Sequence, residues 1–165
     1  RAGWVVTVEI DAALHQLARE ETADCENVTL LHVDALKNKN NFRPEVIETV
    51  QARLAEVSGG RFKLAANLPY NIATPVISNL LSTPITPVSM TVTIQKELAD
   101  RIIAQPSTKD YSALSIWVQS QCRAEIVRVL PPSVFWPRPK VHSAIIQITP
   151  DETLRSPERR RPDER

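Results

Sequence analysis

Glycine is almost missing from this chain: Gly3, Gly59 and Gly60 are the only three in 165 residues. None of them can form a glycine-rich turn ahead of the first strand-like run, because Gly3 lies too close to it and the other two follow it. Cysteine is nearly as scarce. Cys25 and Cys122 stand in no metal-type spacing and are too few for a disulfide framework, which points to a reduced, cytoplasmic-type chain. No apolar run approaches the length of a membrane span, and no charged, apolar, small-residue signal pattern opens the sequence. A net charge of +1 gives no overall basic excess, so a nucleic-acid partner would have to be met by a local patch. Methionine occurs once, at Met90. Arg1 is therefore no initiator, and the apolar run from Trp4 to Ile10 begins so early that the chain reads as opening in mid-fold.

What is present is an ordinary globular composition, 42% hydrophobic and 24% charged, long enough for one domain with a core. Residues 1–150 are expected to form that domain. From Asp151 to Arg165 the only large aliphatic residue is Leu154, among prolines and charges of both signs, so residues 151–165 read as a flexible tail or the start of a linker.

Strand and helix signals alternate along the domain. Val5 to Val8 is β-branched and runs into Leu14, Leu17 and Ala18 at helical spacing, with Asp11 placed to cap the helix. Val28 to Val33 repeats the strand and ends at Asp34. Pro44 to Val57 carries Val46, Ile47, Val50 and Leu54 on one helical side and closes at Gly59-Gly60. Phe62 to Ala66 is a third strand delivering Asn67. It is followed by a helix over Thr74 to Leu81, with Thr74 as cap and Pro75 at the first position. Val88 to Ile94 is a strand, Lys96 to Ala104 a helix with Leu98, Ile102 and Ile103 inward, and Ala113 to Gln121 another helix. Glu125 to Val129 and Ser143 to Ile148 then read as two strands joined by a proline-rich loop, a hairpin-like ending. The alternation predicts an α/β fold with a mostly parallel, doubly wound sheet.

In such a sheet ligands sit beyond the carboxyl ends of the strands, and three ends carry a hydrogen-bonding side chain: Glu9, Asp34 and Asn67. An acidic residue after the second strand of a dinucleotide-binding fold holds ribose hydroxyls, which suits Glu9, and Asp34 could accept from an adenine amine. Taken singly, Glu9 is equally a solvated acid before a helix, and Asp34 equally a loop carboxylate. A glycine-rich turn should precede Glu9 by roughly 20 residues. Its absence implies an upstream strand and helix, hence a fold truncated at its N-terminus.

Asn67-Leu68-Pro69-Tyr70 is the most informative stretch. An exocyclic amine on a nucleobase is planar and a poor nucleophile, since its lone pair is shared with the ring. An enzyme that alkylates it must localise that lone pair and hold the base flat. The Asn67 side-chain oxygen and a carbonyl near Leu68 can accept the two N–H hydrogens, Pro69 stiffens the turn, and Tyr70 offers a π-face. These residue types also favour a plain strand-to-helix turn.

With Val8-Glu9-Ile10-Asp11, Val33-Asp34-Ala35, Asn67 through Pro75, Gln95-Lys96-Glu97, Tyr111 through Ser115, and Phe135 through Ser143, the chain resembles, over about residues 4 to 150, the rRNA adenine N6,N6-dimethyltransferases of the small-subunit type. The resemblance implies a Rossmann-like methyltransferase sheet, mostly parallel with a late antiparallel strand, and S-adenosylmethionine as cofactor. It implies methyl transfer to two adjacent adenosines near the 3′ end of small-subunit rRNA. Glu9 would bind the cofactor ribose, Ile10 would pack on its adenine, and Asp34 with the backbone at Ala35 would read the adenine edge. Asn67 would lie between cofactor and target amine, with Leu68 and Pro69 shaping the acceptor turn. Tyr70 would stack on the target adenine, and Phe135 would be the second aromatic of that pocket; read alone, Phe135 is a core aromatic under a proline-rich loop. Trp136 and Ser112 depart from the pattern, which has a smaller residue and a glycine there. Lys96-Glu97 reads as a first-turn charge pair. The implied partner is small-subunit rRNA or a pre-ribosomal particle in the cytoplasm, bound by a monomer with no metal and no membrane. Two alternatives stand beside this: a non-catalytic RNA-binding or ribosome-assembly module, and a DNA adenine N6-methyltransferase.

Overall fold

The computed structural model describes residues 2–155. They fall into two units, divided after Gly60.

In the first unit the β-branched run forms β1 (Val5–Glu9), which pairs in parallel with β2 (Val28–His32) from Val5 opposite Val28 to Glu9 opposite His32. Parallel strands need a crossover, and α1 (Ala12–Glu21) supplies it. Asp11 caps α1 as expected, its carboxylate accepting from the Leu14 N–H at 2.9 Å. Leu14 and Leu17, by contrast, are exposed, and α1 buries no residue fully. A short antiparallel hairpin that the sequence does not announce, β3 (Leu36–Asn38) and β4 (Asn41–Phe42), precedes α2 (Pro44–Ala55). Val46 and Val50 of α2 are buried, and its Arg53 guanidinium lies 3.9 Å over the Trp4 ring, whose indole N–H bonds Thr29. After α2 the backbone turns at Gly59, φ 70°, a conformation that costs glycine little.

In the second unit β5 (Lys63–Asn67) pairs in parallel with β6 (Ser89–Gln95). Two later strands, β7 (Cys122–Leu130) and β8 (Ser143–Pro150), are antiparallel to each other, and β8 inserts between β6 and β7 to give the order β5-β6-β8-β7. Only β8 runs against the other three. That is the mostly parallel sheet with one late antiparallel strand, here separate in its ladder from the β1–β2 pair. The core is built from alternate residues: Met90, Val92 and Ile94 of β6 and Ala144, Ile146 and Ile148 of β8 are buried. Against it lie helices α3 (Ala73–Ser82), α4 (Lys96–Ile103) and α5 (Ala113–Gln119), contributing Ile77, Ile102 and Val118.

Three details correct the expectations. Helix α3 starts one residue before Thr74: Ile72 is its cap, no side chain caps it, and Pro75 falls at the third position of the first turn. Its missing N–H costs nothing there, since the first turn has no intrahelical acceptor. In α4 the buried residues are Ala99 and Ile102, with Leu98 and Ile103 only partly covered. Lys96 and Glu97 do not pair with each other, because residues four apart share a helix face. Lys96 pairs with Asp100 and Glu97 with Arg101.

Residues 156–165 of the expected tail lie outside the described residues. Asp151 to Arg155 form a turn held to the second unit. The Asp151 N–H donates to the Gln121 carbonyl, and the Arg155 guanidinium donates to the Leu81 carbonyl, the Thr86 hydroxyl and the Gln121 side-chain oxygen.

Candidate active site

Glu9 is the last residue of β1, half-buried, and one carboxylate oxygen accepts from the Asp11 N–H at 2.8 Å. That bond fixes the side chain at the strand end. Beside it Ile10 is 64% exposed, an apolar surface with no covering residue. The Ile10 carbonyl is bonded by the ring of His32, Nε2 to O 3.2 Å, and that ring stacks on His15 with centroids 4.7 Å apart. His32 was not anticipated as part of this loop. Its signal was only the register, which sets it opposite Glu9.

Asp34 follows β2 by two residues. Its Oδ1 accepts from the Leu36 N–H at 2.9 Å, an Asx turn that orients the carboxylate and leaves Oδ2 without a partner among the described residues. The Ala35 carbonyl accepts from the Arg43 N–H, whereas the Ala35 N–H has no partner among the described residues. The first unit thus presents two oriented carboxylates, a free N–H and an exposed apolar side chain, all from loops that follow its two parallel strands.

In the second unit, Asn67 ends β5 opposite Thr93 of β6. Strand alternation turns its side chain outward, exposed, and its amide makes no hydrogen bond among the described residues. Leu68 is the anchor: its side chain is buried, and its N–H donates to the Thr93 carbonyl at 3.1 Å. The Pro69 carbonyl is consumed by the Ile72 N–H at 3.1 Å, while the Leu68 carbonyl has no partner among the described residues. Among the acceptors this turn offers, the Asn67 amide oxygen and the Leu68 carbonyl remain open.

Tyr70 is 37% exposed, and its hydroxyl lies 2.9 Å from the Ser143 Oγ, 73 residues along the chain. Ser143 is buried at the start of β8, between Gln95 of β6 and Leu130 of β7. The ring is thereby held at one end and free on its faces. Phe135 is half-buried at the end of a 3₁₀ turn, Pro132–Val134, and makes no ring contact with Tyr70. The segment Phe135 to Ser143 is connected to the Asn67 turn through the Tyr70–Ser143 bond. Sequence reasoning included Ser143 in the motif but gave it no role, because a partner 73 residues away leaves no periodic trace.

Neither cysteine joins these residues. Burial pushes the Cys122 thiol from 9.0 up to about 11, so it stays protonated at neutral pH, and Cys25 is exposed.

A family model described as Ribosomal RNA adenine dimethylase matches residues 1–160. The chain belongs to that family. It is 43% identical over 148 residues to the Ribosomal RNA small subunit methyltransferase A of Clostridium acetobutylicum, covering 90% of this chain and 49% of that protein. The protein of the same name from Clostridium perfringens is 44% identical, with 90% and 48% covered. Among solved structures the chain is similar to a dimethyladenosine transferase from Plasmodium falciparum, TM-score 0.73 and 27% identity over 92% of this chain and 49% of that one. It is also similar to the 23S rRNA methyltransferase ErmE, TM-score 0.66 and 25% identity over 92% and 54%. The fold is that of Rossmann-like rRNA methyltransferases, and the chain spans about half the length of the curated relatives it matches.

Proposed function

We propose that the protein carrying this chain transfers methyl groups from S-adenosylmethionine to the N6 amine of adjacent adenosines near the 3′ end of small-subunit rRNA during ribosome biogenesis. The observation that carries this reading is the Asn67 turn, with two unengaged acceptors beside a tethered aromatic ring. An adenine amine has two N–H hydrogens. The Asn67 oxygen and the Leu68 carbonyl are the two acceptors that would take them, drawing the nitrogen lone pair out of conjugation while the Tyr70 face, with Phe135 as its partner, holds the base flat.

The cofactor also fits the residues present. Glu9 has an oxygen to spare for ribose hydroxyls, Ile10 an exposed side chain for the adenine face, and Asp34 with the Ala35 N–H an acceptor and a donor for the adenine edge. Bound, S-adenosylmethionine supplies an electrophilic methyl group. The chain's own residues do the positioning, which in well-oriented cases is worth roughly 7 kcal/mol or more. No side chain has to act as a strong base, because the nitrogen becomes acidic once alkylated and its proton passes to water. The names of the matched relatives support rRNA as the substrate class.

Asn67→Ala is expected to lower methyl incorporation into small-subunit particles about 100-fold, the effect of removing one electrostatic stabiliser, with little loss of fold since Asn67 is exposed. Incorporation near the parent level would refute the assignment. Faster labelling of duplex DNA than of particles would redirect it to a DNA adenine methyltransferase.

A further inference from the structure

Beyond the target-base pocket, we propose that Trp136, with Arg138 and Lys140, forms a second platform for single-stranded RNA, on which a nucleotide next to the target adenosine stacks; this rests on the reading of the site as an RNA methyltransferase. Three observations carry it. The Trp136 indole is 96% exposed, the most exposed large hydrophobic side chain among the described residues. A flat ring left in water is costly unless something covers it.

The charge flanking it in sequence has one sign. Between Glu125 and Asp151 the sequence holds Arg128, Arg138 and Lys140 and no carboxylate. Arg138 and Lys140 are exposed and have no ion-pair partner among the described residues. Cations spaced around an aromatic face are what a phosphate backbone with unstacked bases requires. The exposed apolar side chains nearest in sequence are Val134 and Val141, and the cations Arg138 and Lys140 between them favour a polyanion over an apolar protein surface.

The segment is also placed for the purpose. It runs from Phe135 to Ser143, and Ser143 holds the Tyr70 hydroxyl. RNA seated on Trp136 would therefore lie on the segment that helps fix the acceptor ring. The prolines at 137 and 139 stiffen the stretch, so little order has to be gained on binding.

The test is a titration with an adenine-rich single-stranded oligoribonucleotide of about ten nucleotides, followed by indole emission and by anisotropy at several salt concentrations. The parent should show quenching that Trp136→Leu loses, although Trp4 and Trp117 remain. Trp136→Leu should bind about tenfold more weakly with an unchanged salt slope, and Trp136→Tyr should recover most of the affinity. Arg138→Gln and Lys140→Gln should each reduce the salt slope by about 0.7. Because Trp136 is exposed, the unfolding midpoint should not move.

The proposal is overturned if Trp136→Leu binds the oligonucleotide as the parent does. It is likewise overturned if anionic vesicles quench the indole and RNA does not, or if sedimentation shows that Trp136→Leu abolishes a dimer instead. Binding needs no methyl transfer, so a parent that quenches normally but labels no adenine would count against the proposed activity and not against the platform.

Discussion

The Tyr70 hydroxyl and the Ser143 Oγ form the hydrogen bond on which the position of the Tyr70 ring depends most directly. Tyr70→Phe keeps the stacking face and leaves a buried hydroxyl without its partner, so a stability loss of about 1–3 kcal/mol is expected in denaturant titration. Ser143→Ala removes the other side and leaves a tyrosine hydroxyl that still reaches solvent, a smaller loss of about 0.5–1.5 kcal/mol. The double variant should cost less than the sum of the two, and additive losses would show that the bond does not couple the residues. On the proposed function, loss of the pair should raise KM for RNA more than it lowers kcat, because the ring would orient the base without touching the transferred group. At this scale the residues of the Asn67 turn were legible in the sequence and their supports were not. Asn67, Leu68 and Tyr70 are read from local spacing, whereas Ser143, and His32 on the Ile10 carbonyl, act through contacts that only the folded chain brings about.

Elements were legible where a side chain and its backbone partner are close in sequence. Asp11 capping Leu14 is such a case. The cap of α3 failed because Pro69 and Ile72 close the turn by backbone alone, and β3–β4 was missed because Lys37 to Asn41 has no apolar alternation. The turn from Asp151 to Arg155 was obscured by composition: its residues read as part of a flexible tail or linker, yet Asp151 and Arg155 are both bonded. The Thr153 hydroxyl, then the Arg123 guanidinium and the Thr153 N–H, hold the Asp151 carboxyl from 3.8 down to about 2. A lowered pKa places the contribution of this turn above about 3.8, to be lost as pH falls toward 2. Amide exchange at Thr153 and Arg155 should therefore quicken in that window, and Asp151→Asn should show the fast rate at neutral pH. Arg155→Ala strands three acceptors at once and should lower stability by about 1.5–3 kcal/mol.

For the whole molecule, the alternation of strands and helices was enough to predict an α/β fold, and the hairpin-like ending with the family resemblance added the late antiparallel strand. The division into separate ladders was not legible, because pairing partners carry no local signature and a strand's neighbour in space need not be its neighbour in sequence. The placement of β8 is the clearest instance. It is the last strand of the second unit in sequence among the described residues, yet an inner one in the sheet, bonded to β6 on one side and β7 on the other. During synthesis, then, Met90, Val92 and Ile94 leave the ribosome with half their ladder unmade and wait for Ser143 to Pro150 before the core can close. The second unit should acquire its protease resistance in a single late step: nascent chains arrested before Ser143 should be digested through β6 and β7, and chains long enough to expose all of β8 should not. Resistance that built up strand by strand would show that β5 and β6 are stable without it. The strand that anchors the Tyr70 hydroxyl is thus also the one that completes the sheet, so that an unfinished chain would leave the Tyr70 ring untethered.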